Sequence, residues 1–237
     1  MREGLIRIAL ILSVQLVCYR SSIAQNSPDL TLKDFSTWFD NHIGGEQNRL
    51  YSGVIYIMRS ASRTTHQFYQ TNTWRSGDIS FSDNRTYYDI PLVFDIEKEL
   101  IVVKHPQFGR RDGIQLLMND IVFFSVEDHF FRKEEVDGRK GFYEILLEGT
   151  HFDLLAKRRK ELKVESARAV YKEYTEYLLQ NPDTIVLCKN KKSLDILMKE
   201  SKVVTNKIEK EYKVRFSRTK EVKLIDYLRR FDEEMGK

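Results

Sequence analysis

Cysteine is scarce in this chain, and the scarcity constrains it more than any other count. The two cysteines of the 237 residues are Cys18 and Cys188. Cys18 falls in a segment that reads as a removable leader, so the mature chain keeps one thiol and no intramolecular disulfide. Stability then has to come from a hydrophobic core rather than from covalent staples. Proline and glycine are also few, 4 and 11 residues, and 41% hydrophobic against 31% charged residues is globular, which excludes a collagenous or disordered chain. After the leader no apolar run approaches the ~20 residues that span a bilayer, so no transmembrane segment is expected in the mature chain. Catalytic signatures are missing too. No two histidines stand three or four apart and no His-Glu-x-x-His occurs, so no metal site is read. Gly-x-Ser-x-Gly and the phosphate-cradling Gly-x-x-x-x-Gly-Lys-Ser/Thr are absent, as is the alternating Asp/Asn loop that calcium requires. Neither a cofactor nor a catalytic residue is assigned.

What is present begins with an address. Arg2 and Arg7 flank an apolar stretch from Ile6 to Val17, followed by a polar segment with small residues at Ser22 and Ala24. This order is that of a secretory signal peptide over residues 1–24, cleaved between Ala24 and Gln25. Val17 before Cys18, and Gln15 where leucine is expected, do not fit a lipidation site; soluble export is the reading. Residues 25–237 are read as one domain.

Charge is unevenly spread. Residues 25–156 hold 20 acidic and 14 basic groups, whereas residues 157–237 hold 14 acidic and 22 basic. An exposed basic end would suit an anionic surface, a lipid or an acidic envelope protein. A lysine-rich solvated face is the plainer account. Nucleic acid is not an expected partner, since no recognition motif is present.

Periodicity divides the domain in three. Leu32, Phe35, Trp38 and Phe39 behind Thr31 predict a short helix over residues 31–40, ended by Gly44-Gly45. Residues 50–190 change to period two with β-branched and aromatic residues, an antiparallel β region. Hairpins are expected around Glu97-Lys98, Asn119-Asp120, Glu148-Gly149-Thr150 and Asn181-Pro182-Asp183. Residues 191–237 return to helical spacing as a basic segment. There Ser193 is the cap candidate for Leu194, Leu197 and Met198; Val204, Ile208 and Tyr212 recur at four-residue intervals; Leu224, Tyr227, Leu228 and Phe231 follow Thr219. The fold class is therefore α+β, mainly antiparallel β: a curved sheet or open barrel with a short N-terminal helix and C-terminal helices.

Two stretches attract a functional reading. His66, Tyr69 and Trp74 would make an aromatic binding platform, although aromatics on a β surface are mostly packing residues. Glu127, Asp128 and His129, with Glu134, Glu135 and Asp137 nearby, would supply the carboxylates and histidine of a hydrolase acting on glycans or peptides. Runs such as Glu134 to Asp137 are more often hairpin tips.

Three stretches, Leu50 to Tyr56, Tyr88 to Ile96 and Gly141 to Leu146, resemble those of a family of exported, β-rich proteins from Gram-negative bacteria. The resemblance spans roughly residues 46–230, with Ser52 where that family commonly has Asn. It implies a periplasmic or outer-membrane-associated protein and supplies no active-site residues. The function expected from all this is non-enzymatic binding of a hydrophobic ligand or of another envelope component, with a secreted hydrolase as the alternative.

Overall fold

The computed structural model describes residues 49–58, 65–107, 112–165, 168–190, 192–197 and 220–235. The signal segment with Ala24 and Gln25, the helix expected over 31–40, the Val204–Tyr212 stripe and the Thr219 cap lie outside them. Period-two alternation over most of the described chain has its direct consequence in one antiparallel sheet. Its strands are β1 (Val54–Ile57), β2 (Arg75–Phe81), β3 (Thr86–Asp95), β4 (Leu100–Lys104), β5 (Asp112–Gln115), β6 (Ile121–Val126), β7 (His129–Val136), β8 (Arg139–Glu148), β9 (Asp153–Glu165), β10 (Arg168–Gln180) and β11 (Ile185–Leu187). They lie in the order β1-β5-β4-β3-β2-β6-β7-β8-β9-β10-β11, an open sheet with β1 and β11 at its ends. Among the described residues two helices follow, α1 (Lys192–Leu197) and α2 (Glu221–Met235).

Turn chemistry explains most of the meander. Glu127 has φ 52° between β6 and β7, and Asp137 and Gly138 have φ 51° and 74° between β7 and β8. Positive φ in two-residue loops matches the twist of the strands they join. Between β3 and β4 the buried Asp95 carboxylate accepts the backbone N–H groups of Glu97 (3.1 Å) and Lys98 (3.0 Å), which forms the hairpin expected around Glu97-Lys98. The hairpins expected at residues 148–150 and 181–183 form as β8–β9 and β10–β11.

One expected hairpin does not form. Asn119-Asp120 does not join neighbouring strands, because both edges of β5 are occupied: Gln115 faces Val54 of β1 on one side and Val102 of β4 on the other. A 3-10 turn at Met118–Asp120 instead sends the chain across to the free edge of β2, where Ile79 faces Phe124 of β6. The approach of β2 to β6 is so close that a Cβ on Gly77 would collide with the Ser125 carbonyl oxygen.

The main core is aromatic. Phe124 and Phe131, register partners on β6 and β7, stack with ring centroids 4.7 Å apart, and Phe94 of β3 meets them edge-on at 4.9 and 5.3 Å. Phe142 of β8 closes the group, 5.0 Å from Phe124. A second core lies where Leu224, Tyr227, Leu228 and Phe231 of α2 cover Phe152, Leu154 and Leu179 of the sheet, with Leu194 and Leu197 of α1. That is the apolar stripe foreseen for the C-terminal helix. Ser193, expected as a cap, has another use: its hydroxyl donates to the Leu187 carbonyl (2.8 Å) and accepts from the Lys189 N–H (3.2 Å), fastening α1 to the end of β11.

Gly77→Ala is expected to cost about 1–3 kcal/mol, since backbone rather than a flexible side chain would have to yield. Urea denaturation of the variant against the wild type measures it.

Candidate functional site

β8 and β9 pair from Glu144–Ala156 to Glu148–Asp153 and no further. Beyond Glu144 the two strands part, β8 continuing beside β7 and β9 beside β10. The β3–β4 turn fills the gap. Glu99, held at φ 57°, accepts the Phe142 N–H (2.7 Å) and pairs with Lys157, while the Ile96 carbonyl accepts the Lys160 N–H (3.3 Å). The Lys160 ammonium donates to the Phe68 carbonyl (2.6 Å). A turn from the first half of the sheet thus completes strands of the second half.

Glu144 stands at the crotch of this fork and is 2% exposed. A carboxylate there must have partners or lose its charge. Arg158, across the fork on β9, donates Nε to its Oε2 (2.5 Å). Its Oε1 accepts the Tyr69 hydroxyl (2.9 Å) and lies 2.6 Å from His129 Nδ1. His129 Nε2 lies 2.8 Å from the Gln70 amide nitrogen. Arg158 continues outward to both carboxylate oxygens of Glu221 in the first turn of α2 (3.0 and 2.8 Å) and to the Thr175 hydroxyl (3.1 Å). The Tyr177 hydroxyl joins at Glu221 Oε2 (2.9 Å).

The titrations follow the contacts. Burial alone would work against a charged Arg158, but hydrogen bonds to Glu221 and attraction to Glu144 outweigh it and keep the guanidinium charged. Burial, reinforced by Glu144, pushes the Tyr69 hydroxyl well above its usual range. Tyr177 is raised to about 12, mostly by burial and then by Glu221. Glu221 itself is lowered: burial opposes this, and the Arg158 hydrogen bond prevails.

The residues expected as an aromatic platform belong to different packing groups. Tyr69 lies in the phenylalanine core against Phe131, with ring centroids 5.2 Å apart. Trp74 packs with Met58, Phe68, Val93 and Val102. His66 is buried beside Phe68, its Nδ1 without a hydrogen-bond partner among the described residues; burial and then Lys160 depress its pKa. Of the carboxylate cluster, Glu127 pairs with Arg75 (3.0 Å) and Glu134 with Arg132 (2.6 Å). His129 alone of that group reaches a buried acid. Cys188 is buried and its thiol is pushed up to about 12, as suits an inert packing residue.

Sheet alternation gives the outer face a different character. Residues that alternate with Glu144 and Arg158 point the other way. Leu155, Leu178 and Leu187 are register partners across β9, β10 and β11 on that face. With Tyr143, Val136 and Ile185 they underlie an open groove of about 620 Å³. Its walls are charged: Lys157 lies 4.8 Å from the centre of the Tyr143 ring, Arg159 pairs with Glu176 (3.3 Å), and Arg139 and Lys140 rise from the β7–β8 turn. A neighbouring groove of about 400 Å³ contains Arg132, whose guanidinium is engaged by Glu134, Asp153 and Gln180 at 2.6–3.0 Å. Beside it, Asp232 of α2 accepts the backbone N–H groups of Thr150 (2.6 Å) and His151 (2.8 Å) and lies 3.1 Å from His151 Nδ1, which clasps the helix to the β8–β9 turn.

Among the described residues no helix is long and apolar enough to cross a membrane, and no cluster of His, Cys, Asp and Glu could hold a metal ion. No protein family, curated protein or solved structure matches the chain.

Removing one partner at the fork should be far worse than removing charge in pairs. Glu144→Ala is expected to cost about 3 kcal/mol or more in urea denaturation, because Arg158 is left buried with one acid instead of two. Acid sensitivity follows from Glu221. Its folded pKa lies below the unfolded one, so the pairing contributes fully above the ordinary carboxylate range and is lost as pH falls through the depressed value. Glu221→Gln should therefore be less stable than wild type at neutral pH, with the gap closing from about pH 5 downward. Urea midpoints across that range test the sign.

Proposed function

We propose that the protein is an exported, non-enzymatic component of a Gram-negative envelope that binds a hydrophobic ligand or another envelope component through the outer face of its sheet. The leader sequence and the resemblance supply the location. The observation that carries the binding reading is the groove across β8 to β11, concave and apolar-floored, with charged side chains around it. Leu187 at its edge is 36% exposed, whereas Tyr143, Leu155 and Leu178 beneath it are buried, so the apolar contact a partner would find is at the β11 edge. The two main cores, by contrast, are occupied by phenylalanine rings and by α2.

The hydrolase alternative draws on His129 of the expected cluster and on Glu144, a carboxylate outside it. Its chemistry is poorly served. Glu144 already holds Arg158, Tyr69 and His129, and the Gln70 amide covers the nitrogen of His129 that would act as base.

Native mass spectrometry of the protein purified from its own envelope is expected to show a retained ligand or partner, lost in a Leu187→Asp variant of unchanged circular dichroism. A bare mass for the wild type, together with turnover of glycan or peptide substrates that disappears in His129→Ala, would reverse the assignment.

A further inference from the structure

At the end of the strand order away from the groove lies the outer edge of β1. This strand pairs with β5 and has no strand on its other side among the described residues. Its four residues, Val54, Ile55, Tyr56 and Ile57, favour extended backbone and carry no charge, and residues 50–58 as a whole hold no charged side chain. Val54, Ile55 and Ile57 are 64%, 60% and 61% exposed. Native proteins blunt a free sheet edge with lysine, proline or a bulge, because its unpaired N–H and C=O groups are a template for another strand. β1 has none of the three.

The direction of those backbone groups follows from the neighbouring strands. Leu116 donates its N–H to the Ile101 carbonyl (2.9 Å), so the residues before it alternate between β4 and β1. Ile114 turns towards β4, whereas Gly113 and Gln115 turn towards β1, where their register partners are Tyr56 and Val54. Ile55 and Ile57 therefore direct both backbone groups outward at the free edge. Tyr56 is held from behind as well. Its hydroxyl donates to the buried Asp95 (2.6 Å) and accepts from the Gln67 amide (3.3 Å), and its ring meets Phe68 edge-on at 6.3 Å. The edge is thus fixed as a strand before anything meets it.

Two outward residues flanking one inward residue suit a two-fold contact. With the axis through Tyr56, Ile55 of one copy lies opposite Ile57 of the other, and each such pair exchanges two hydrogen bonds. Alternation puts the isoleucines of both copies on one face and sets Tyr56 beside its own copy on the other. A charge close to a two-fold axis would meet a like charge, and this edge has none to oppose. The other end of the sheet offers no matching strand: β11 is three residues long, and Ser193 already occupies the Leu187 carbonyl. Pairing at β1 therefore closes with two copies instead of running on as a fibre.

We infer that a second copy of this chain docks on the free edge of β1, antiparallel and two-fold about Tyr56, joining two sheets into one. The contact is independent of the groove across β8 to β11 and leaves it open.

Sedimentation velocity of the protein purified from its own envelope tests it. The mass is expected to rise with concentration from one chain to two and to stop there. Ile57→Pro removes an outward N–H and no bond to β5, so it should weaken the dimer by about tenfold or more while keeping the circular dichroism of the wild type. Ile55→Lys/Ile57→Lys and Ile55→Glu/Ile57→Glu should each be monomeric alone and form a mixed dimer when combined, since opposite charges then face each other across the axis. Leu187→Asp should leave the dimer as it is. A monomer at every concentration, growth beyond two copies, a dimer indifferent to Ile57→Pro, or no mixed dimer overturns the inference. So does a dimer lost in Leu187→Asp, which would assign self-association to the groove. If the wild type is monomeric but carries a foreign chain that Ile57→Pro releases, the edge takes another protein's strand and the second copy is the wrong occupant.

Discussion

One buried ion pair, Glu144 with Arg158, sits where the sheet divides, and the layout of both halves depends on it. Two strands that stop pairing leave backbone donors and acceptors with nowhere to go. Here the β3–β4 turn enters the opening and satisfies two of them, Glu99 on one side and Ile96 on the other. A carboxylate and a guanidinium at the crotch tolerate this geometry only as a pair, since each is too deeply buried to stand alone. Their further contacts tie four parts of the chain to one point: the segment around Tyr69, the start of β7 at His129, the strand pair β9–β10, and the first turn of α2. The pair is better regarded as a device for specifying this arrangement than as a large source of net stability, because desolvation offsets much of the attraction.

Alternation then divides the labour between the two faces of β9. Arg158 and Lys160 face inward to the fork and the β3–β4 turn; Lys157 and Arg159 face outward to the groove. A slip of one residue would exchange the sets, placing Lys157 and Arg159 in the core and stripping the groove of its walls. The same four consecutive basic residues therefore serve opposite surfaces, and the bulge at β8 between Ile145 and Leu147 is the place where the register between the strands is adjusted.

This is also where the sequence was hardest to read. The antiparallel class, three of the four hairpins and the apolar stripe of α2 followed from periodicity and turn residues that act locally. The run from Lys157 to Lys163 was different: composition marked it as the start of a basic tail, yet it is the middle of a long strand in which Lys157 and Arg158 pair with acids far away in sequence, Glu99 and Glu221, 58 and 63 residues off. No local signal identifies such partners. Asn119-Asp120 misled for a related reason, since a good turn dipeptide does not reveal that the next edge of β5 is already taken by β1. The groove was invisible for the same cause: its floor assembles Tyr143, Leu178 and Leu187 from strands that only pairing brings together. Glu127, Asp128 and His129 were noticed for their chemistry, but which of them would reach a buried partner depended on the two-residue turn that leaves His129 on the inner face.

The clasp between Asp232 and the β8–β9 turn bears on the order in which the chain can finish folding. The amide groups of Thr150 and His151 find their acceptor 82 and 81 residues later in the chain. During synthesis from the N-terminus, the strands on either side of that turn emerge long before residue 232 does, so the turn's two amides remain with solvent until α2 has been made. The β8–β9 turn is thus completed only once α2 is in place, and α2 works as the closing piece of a hairpin whose strands were already there.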